Sequence, residues 1–218
     1  MTDFAQARRA MVNSQVRIND VTDYRIQDAM AELPREKFVP RSRQAKAYGD
    51  AEVEIGEGRF LLCPRDLAKL VQAADIKSTD LVLDIACGRG YTTALLSRLA
   101  ETVVGIDADA EMVARASERL NEVRADNAVV IKGDPRAGVP DQGPFDVIVI
   151  AGAVDEVPQA LFDQLAEGGR LVTFVRNGPV GRATVFTRGQ GGAIGERVVF
   201  DGTPTLVPGF EKERDFVF

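Results

Sequence analysis

Residues 81–90, LVLDIACGRG, constrain the fold more than any other stretch of the chain. The stretch begins as a short apolar run closed by Asp84, which is typical of a strand buried on both faces of a parallel sheet. Gly88 and Gly90 then break the run, and residues 91–99 have the apolar spacing of a helix. Strand, glycine turn and helix in this order predict a site for a nucleotide-type cofactor, because glycines allow a ligand to approach the backbone closely.

Strand-like runs continue through the rest of the chain, separated by helical segments or short loops. This alternation predicts an α/β fold with a doubly wound, mostly parallel sheet. No helix fits between the last two runs, so we expect a C-terminal antiparallel hairpin. The seven predicted strands are residues 81–85, 102–107, 128–132, 145–150, 170–175, 183–187 and 196–200.

Helical patterns lie before and between these strands. An N-terminal helical extension is predicted over residues 4–18, with Ile18 on its apolar face, and Thr22 is expected to cap a second helix. Asp109 is a good N-cap for the helix after the second sheet strand. A further helix is expected over residues 157–166, ended by two glycines.

Composition narrows the possible functions. The chain has 218 residues and a formal net charge of −6, which argues against nucleic acid as the main partner. It contains no histidine, so Ser-His pairs, Cys-His pairs and histidine metal sites are excluded. Two cysteines are too few for a structural zinc site, and we expect no metal. Without a visible signal peptide, membrane span or disulfide framework, we expect a cytoplasmic protein that does not bind membranes.

Two cofactor classes compete for the glycine turn. A dinucleotide fold favours three glycines, but here the pattern is Gly88-x-Gly90-x-x-Thr93. Asp107 ends the second strand, where an acid would bind a ribose in either class. Asp134 follows a glycine after the third strand. The chain thus has an acid before the turn, these two acids after it and a terminal antiparallel hairpin. This set of features resembles the class I S-adenosylmethionine-dependent methyltransferases.

That resemblance implies S-adenosylmethionine as cofactor and gives each strand end a role. Asp84 would lie near the methionyl ammonium, and the backbone of the turn would pack against the methionine part. Asp107 would bind the ribose hydroxyls, while Asp134 would face the adenine amino group. The alternatives are structural: an acid at a strand end can cap a turn or helix, and glycines can serve a tight turn. The implied cofactor-binding set is Asp84, Ala86, Gly88, Gly90, Asp107, Ala108, Asp134 and Pro135.

Further motifs follow in order between residues 8 and 176. Among them are PREKFVP at 34–40, IGEG at 55–58, PFDVIVI at 144–150 and GGRLV at 168–172. Together they resemble the protein-L-isoaspartate O-methyltransferases, which methylate the free α-carboxylate of isoaspartyl residues in damaged proteins and so start repair. The implied partner is a protein or peptide that contains such a residue. The resemblance also implies a single methyltransferase domain over 1–218, with 1–60 as a helical cap on the substrate side and 61–218 as the cofactor-binding core.

The chain departs from the family at the acceptor site. The family has Thr-x-Ser where this sequence has Phe60-x-Leu62, so two hydroxyl positions of the substrate pocket are apolar. Losing a hydrogen bond to a charged group costs roughly 1.5–3 kcal/mol, which would slow isoaspartyl turnover ~10-fold to several hundred-fold. Ala86 replaces a family glycine, and Pro135 removes a backbone N–H near the adenine. The alternative is therefore a cofactor-binding relative with another acceptor or a regulatory role. No catalytic residue is assigned.

Overall fold

The computed structural model describes residues 3–212. Within that range the chain forms six α-helices and nine strands. The helices are α1 (Phe4–Met11), α2 (Tyr24–Glu32), α3 (Pro64–Ala73), α4 (Tyr91–Ser97), α5 (Ala110–Glu122) and α6 (Gln159–Asp163). The strands are β1 (Val53–Gly56), β2 (Arg59–Leu61), β3 (Leu81–Ile85), β4 (Thr102–Asp107), β5 (Ala128–Lys132), β6 (Phe145–Val154), β7 (Leu165–Asn177), β8 (Val180–Arg188) and β9 (Ile194–Gly202).

Seven strands form the main sheet in the order β5-β4-β3-β6-β7-β8-β9. The strands from β5 to β7 are parallel, with Leu83 of β3 beside Val104 of β4 and Ile148 of β6. Strand β8 runs antiparallel to both of its neighbours. The predicted fold class, with its antiparallel C-terminal strands and N-terminal helix, is confirmed. Strands β1 and β2 pair with each other in a separate antiparallel hairpin.

The N-terminal helix differs from the prediction in its second half. Helix α1 ends at Met11, and the chain continues through a π-helical segment (Val12–Val16). Because a π-helix has more residues per turn than an α-helix, the inward face shifts along the sequence. Val12 and Val16 are buried as a result, while Ile18 is 72% exposed. The prediction that Ile18 faces the core is wrong.

Two helix boundaries also differ from the prediction. The side chain that caps α2 belongs to Asp23 and not to Thr22, since the Asp23 carboxylate accepts the backbone N–H two residues further on at 2.9 Å. The helix expected over residues 157–166 is only five residues long. It ends early because Leu165 already pairs with Phe145 of β6, so the chain enters the sheet before the two glycines.

Both faces of the sheet are covered by apolar side chains. One hydrophobic cluster joins Met30 and Phe38 of the N-terminal segment to Val82 and Val149 of the sheet. A second cluster covers the other face and includes Phe210 from the end of the described chain. Residues 3–212 contain no helix of the length and hydropathy needed to cross a bilayer.

The turn between β3 and α4 alternates between backbone regions. Ala86, Gly88 and Gly90 all have positive φ angles, of 54°, 58° and 85°. Such angles favour glycine, and an L-residue with a side chain in this region costs about 1–2 kcal/mol. At Gly88 space is also tight, since an added Cβ would lie 2.6 Å from the Cδ1 atom of Ile55, which would have to shift. The backbone conformation at residue 86 therefore favours glycine, although this chain has alanine there.

Ala86→Gly should stabilise the protein by about 0.5–1 kcal/mol, because relief of backbone strain outweighs the greater freedom of the unfolded chain. Ala114→Gly is the matched control, since Ala114 is an exposed residue inside α5. There the same change should destabilise by about 0.5–1 kcal/mol. Urea unfolding of both variants measures the two effects, and destabilisation of similar size at both positions would contradict the strain at Ala86.

Candidate active site

The carboxyl ends of β3, β4 and β5 meet around the glycine turn. The Oδ2 atom of Asp107, the last residue of β4, accepts the Gly88 N–H at 2.8 Å. The Gly133 N–H donates to the Asp107 carbonyl at 3.0 Å, which brings the start of the Asp134 turn to the same edge of the sheet. Asp84 lies one residue before the end of β3. The structure thus brings together the strand ends that the sequence singles out.

Asp84 is a buried carboxylate with incomplete hydrogen bonding. Its side chain has no solvent exposure, and its Oδ2 atom accepts the Thr93 hydroxyl at 2.6 Å. Its Oδ1 atom has no hydrogen-bond partner within residues 3–212. Burial raises the pKa of Asp84 to about 7, although the Thr93 hydroxyl lowers it in part. Thr93 occupies the place of the absent third glycine, and nothing in the sequence pattern indicates that it supports Asp84.

Asp107 is equally buried but has an opposite charge beside it. Arg59 of β2 forms a bidentate ion pair with it, with Nη1–Oδ1 and Nη2–Oδ2 distances of 3.1 and 2.6 Å. The Asp109 N–H also donates to Oδ1, at 3.0 Å. Burial raises the pKa of Asp107, but the hydrogen bonds and charge of Arg59 outweigh it, so the pKa lies below its ordinary value. Arg59 was not predicted as a site residue. It lies 48 positions from Asp107, and an ion pair over that separation leaves no local pattern in the sequence.

The remaining residues of the predicted cofactor set are more exposed. Ala108 and Asp134 face solvent, and Pro135 is half-buried. One carboxylate oxygen of Asp134 accepts the Arg136 N–H at 2.9 Å, which is the turn-capping role that stood as its structural alternative. Asp109 accepts backbone N–H groups of α5, so its prediction as N-cap is confirmed. Binding roles for Ala108, Asp134 and Pro135 stay predictions.

The β1–β2 hairpin covers the glycine turn and borders a small cavity of about 20 Å³. Phe60 lies in the cavity wall beside Arg59 and is 36% exposed. Leu62 is 1% exposed and belongs to the hydrophobic cluster behind the hairpin. Its carbonyl accepts a hydrogen bond from the buried Arg35 guanidinium at 2.5 Å. The two residues predicted to line the substrate pocket therefore lie at different depths, and their roles in binding stay predictions.

The C-terminal segment that sequence reasoning could not interpret forms another wall of this cavity. Thr205 and Val207 pair with the backbone of Ala153 in β6, with N···O distances of 3.1 and 2.8 Å. The Glu52 carboxylate accepts the Thr205 N–H at 3.1 Å and the Thr205 hydroxyl at 2.5 Å. At Gly152 an added Cβ would lie 2.4 Å from a Val207 methyl group, so the segment packs directly on the strand.

These groups suit a ligand of mixed polarity. The unpartnered oxygen of Asp84 favours a cation, because a buried carboxylate is costly unless it is paired. The Asp107 carboxylate could accept two hydroxyl groups in place of its two contacts with Arg59, and the half-buried Ala86 of the turn lies in the cavity wall. An ammonium, a diol and an apolar linker between them match this set of residues. An anionic phosphate does not match it, because two carboxylates lie at the site.

Comparison with known proteins gives a consistent result. A family model described as protein-L-isoaspartate(D-aspartate) O-methyltransferase matches residues 6–200. A protein-L-isoaspartate O-methyltransferase of Koribacter versatilis is 41% identical over 194 residues, which are 89% of this chain and 87% of that protein. A relative of the same name from Roseiflexus castenholzii is 40% identical over 170 residues, 78% of each chain.

Two solved structures share the fold. One is a protein-L-isoaspartate O-methyltransferase with a TM-score of 0.78 at 24% sequence identity. The match covers 94% of this chain and 66% of that one. The other is a Plasmodium falciparum chain assigned to the same enzymes and solved with S-adenosyl-L-homocysteine. Its TM-score is 0.77 at 20% identity, with 91% of this chain and 97% of that chain covered. From the family match and the identity to its relatives, this chain belongs to the protein-L-isoaspartate (D-aspartate) O-methyltransferase family.

Proposed function

We propose that the chain is an S-adenosylmethionine-dependent methyltransferase that esterifies the α-carboxylate of isoaspartyl residues in proteins and peptides. The observation that carries the proposal is the family match over residues 6–200, which includes both the strand ends and the hairpin above them. Its relatives in Koribacter and Roseiflexus are named for this reaction. The alternative of a regulatory relative, or of one with another acceptor, is therefore not favoured.

The geometry at the strand ends supports the proposed cofactor roles. Asp84 would pair with the methionyl ammonium, because one of its oxygens lacks a partner among the described residues. Asp107 would accept the ribose hydroxyls, and the backbone from Ala86 to Gly90 would contact the methionine part. Ala108, Asp134 and Pro135 would surround the adenine. When bound, S-adenosylmethionine supplies an electrophilic methyl group on its sulfonium.

Methyl transfer to a carboxylate mainly requires the protein to position the acceptor against the methyl group. A carboxylate is already ionised at neutral pH, so it needs no general base, and the chain contains no histidine that could serve as one. Orientation and exclusion of water are then the main contributions of the site. Phe60 in the cavity wall would exclude water, and buried Leu62 would support the hairpin from behind.

The same proposal covers the organisation and location of the protein. Residues 1–60 would form the cap on the substrate side of one domain, with 61–218 as the cofactor-binding core. Shared packing of Met30 and Phe38 with the sheet supports a single unit. Cys63 and Cys87 are both buried and unbonded, which suits a reducing cytoplasm.

Transfer of labelled methyl to an isoaspartyl peptide tests the reaction. We expect incorporation that is released as methanol in mild alkali, because the product is an ester. The same peptide with an ordinary aspartyl residue is the matched control and should incorporate no label. If S-adenosyl-L-homocysteine binds in calorimetry and neither peptide is methylated, the proposed acceptor is wrong.

The Asp84 role predicts a pH-dependent cofactor affinity. Because its pKa lies at about 7, protonation below that pH removes the charge that would pair with the ammonium. The dissociation constant for S-adenosyl-L-homocysteine should rise up to ~10-fold per pH unit below pH 7. Calorimetry from pH 5.5 to 7.5 measures this slope. Asp84→Asn should bind more weakly and without the slope, and an unchanged slope in that variant would exclude Asp84 as its source.

The same residue predicts a change in the stability of the ligand-free protein. The folded pKa of Asp84 is raised, so its contribution to stability is present at low pH and is lost as the pH rises through about 7. Asp84→Asn removes the buried charge and should therefore stabilise the protein by about 1–3 kcal/mol at pH 8, with a smaller gain at pH 5.5. Urea unfolding at the two pH values measures the difference, and destabilisation at pH 8 would contradict the raised pKa.

A further inference from the structure

The ion pair between Arg59 and Asp107 lies where the cofactor ribose is proposed to bind. The guanidinium makes two contacts with the Asp107 carboxylate, at 3.1 and 2.6 Å, and its Nη2 atom also donates to the Ala86 carbonyl at 2.8 Å. The Asp107 side chain is fully buried, while that of Arg59 is 17% exposed. Arg59 therefore reaches from the hairpin into the cofactor site and contacts the glycine turn as well.

Asp107 has no hydrogen-bonding capacity to spare in this arrangement. Its two oxygens accept two backbone N–H groups, from Gly88 at 2.8 Å and Asp109 at 3.0 Å, besides the two contacts from Arg59. A carboxylate has about four acceptor positions, and all four are filled. The backbone donors are fixed by the turn and by α5. A diol can bind Asp107 only if the Arg59 guanidinium leaves.

Arg59 already lines the wall of the small cavity beside the hairpin, next to Phe60, which is 36% exposed, so a guanidinium released by Asp107 would turn toward the mouth of this cavity. Among the described residues of that wall, Arg59 and Glu52 are the only charged ones. The Glu52 carboxylate is engaged by the N–H and hydroxyl groups of Thr205, and Arg59 is the one cation among the described residues of the wall. At the family's hydroxyl positions this chain has Phe60 and Leu62, which offer an acceptor carboxylate no hydrogen bond. A carboxylate in such a cavity needs a donor, and a guanidinium is the strongest one available.

We propose that Arg59 determines acceptor specificity in this protein. In the ligand-free state its guanidinium is held by Asp107. When the ribose hydroxyls replace it at that carboxylate, the guanidinium turns toward the mouth of the cavity and binds the carboxylate of the acceptor there. The inference rests on the proposed function, because it takes the acceptor to be an isoaspartyl carboxylate. The consequence is ordered binding: the cofactor binds first and releases Arg59, which then completes the acceptor site.

Arg59→Gln tests both halves of this inference by calorimetry, without relying on turnover. The first measurement is the affinity for S-adenosyl-L-homocysteine. The second is the affinity of the S-adenosyl-L-homocysteine complex for an isoaspartyl peptide, and for the same peptide with its α-carboxylate replaced by a carboxamide. We expect the variant to bind S-adenosyl-L-homocysteine ~3-fold or more tighter, since no ion pair has to be broken. It should bind the carboxylate peptide ~10-fold or more weaker, the size typical of charge-assisted hydrogen bonds.

Two controls separate this role from a structural one. Arg25→Gln removes another arginine that makes two contacts with one carboxylate, here through Nε and Nη2 to Asp23 on the surface, and should change neither affinity. The carboxamide peptide should bind wild type and Arg59→Gln with equal affinity. Thermal melts show whether Arg59→Gln is folded. If it is not, Arg59→Lys keeps the charge without the planar fork and should bind the carboxylate peptide ~3-fold or more weaker than wild type.

Opposite outcomes overturn the inference. Weaker binding of S-adenosyl-L-homocysteine by Arg59→Gln would mean that Arg59 serves the cofactor, for example its own carboxylate. A wild-type complex that binds the carboxylate and carboxamide peptides equally well, or binds neither, would exclude Arg59 as a carboxylate ligand. Wild-type turnover is a separate measurement. A protein that binds the carboxylate peptide through Arg59 and transfers no methyl group would refute the proposed function and leave the inference standing.

Discussion

The Asp107 carboxylate is the point on which the local structure depends. It accepts the Gly88 N–H of the glycine turn, the Asp109 N–H at the start of α5 and the guanidinium of Arg59 from the hairpin. Three parts of the chain that are distant in sequence, the hairpin, the glycine turn and the β4–α5 junction, are thereby held together at one group. The left-handed residues of the turn are tolerated because this carboxylate, together with close packing by Ile55, fixes the turn in place.

Two aspartates at the same edge of the sheet show how the surroundings of a carboxylate decide its charge. Asp84 and Asp107 are both fully buried, yet burial dominates at Asp84 and raises its pKa, while Arg59 prevails at Asp107 and lowers it. The difference lies in the donors, since the described partner of Asp84 is one hydroxyl, whereas Asp107 has an arginine and two N–H groups. One acid therefore has an oxygen without a partner among the described residues, and the other is already paired with a cation. Such a pair can distinguish the two ends of one ligand.

The sequence predicted the sheet well because buried parallel strands are continuous apolar runs that need no knowledge of their neighbours. All seven predicted strands were found, and Asp109 was correctly identified as a cap because capping depends on residues three positions apart or fewer. Features that depend on distant partners were missed. Ile18 is exposed because a π-helical segment precedes it. The helix before β7 is short because Leu165 pairs with Phe145 of β6. Arg59 could not be found at all, since its role exists only once the hairpin has folded over the strand ends.

The link between Glu52 and Thr205 joins residues separated by 153 positions. Every strand of the main sheet is complete before Thr205 in the chain, whereas the wall that Thr205 and Val207 add to the cavity comes afterwards. During synthesis from the N-terminus, the residues of the sheet are therefore made before those of this cavity wall. A chain that ended before Thr205 would therefore contain every residue of the main sheet and lack this wall of the cavity.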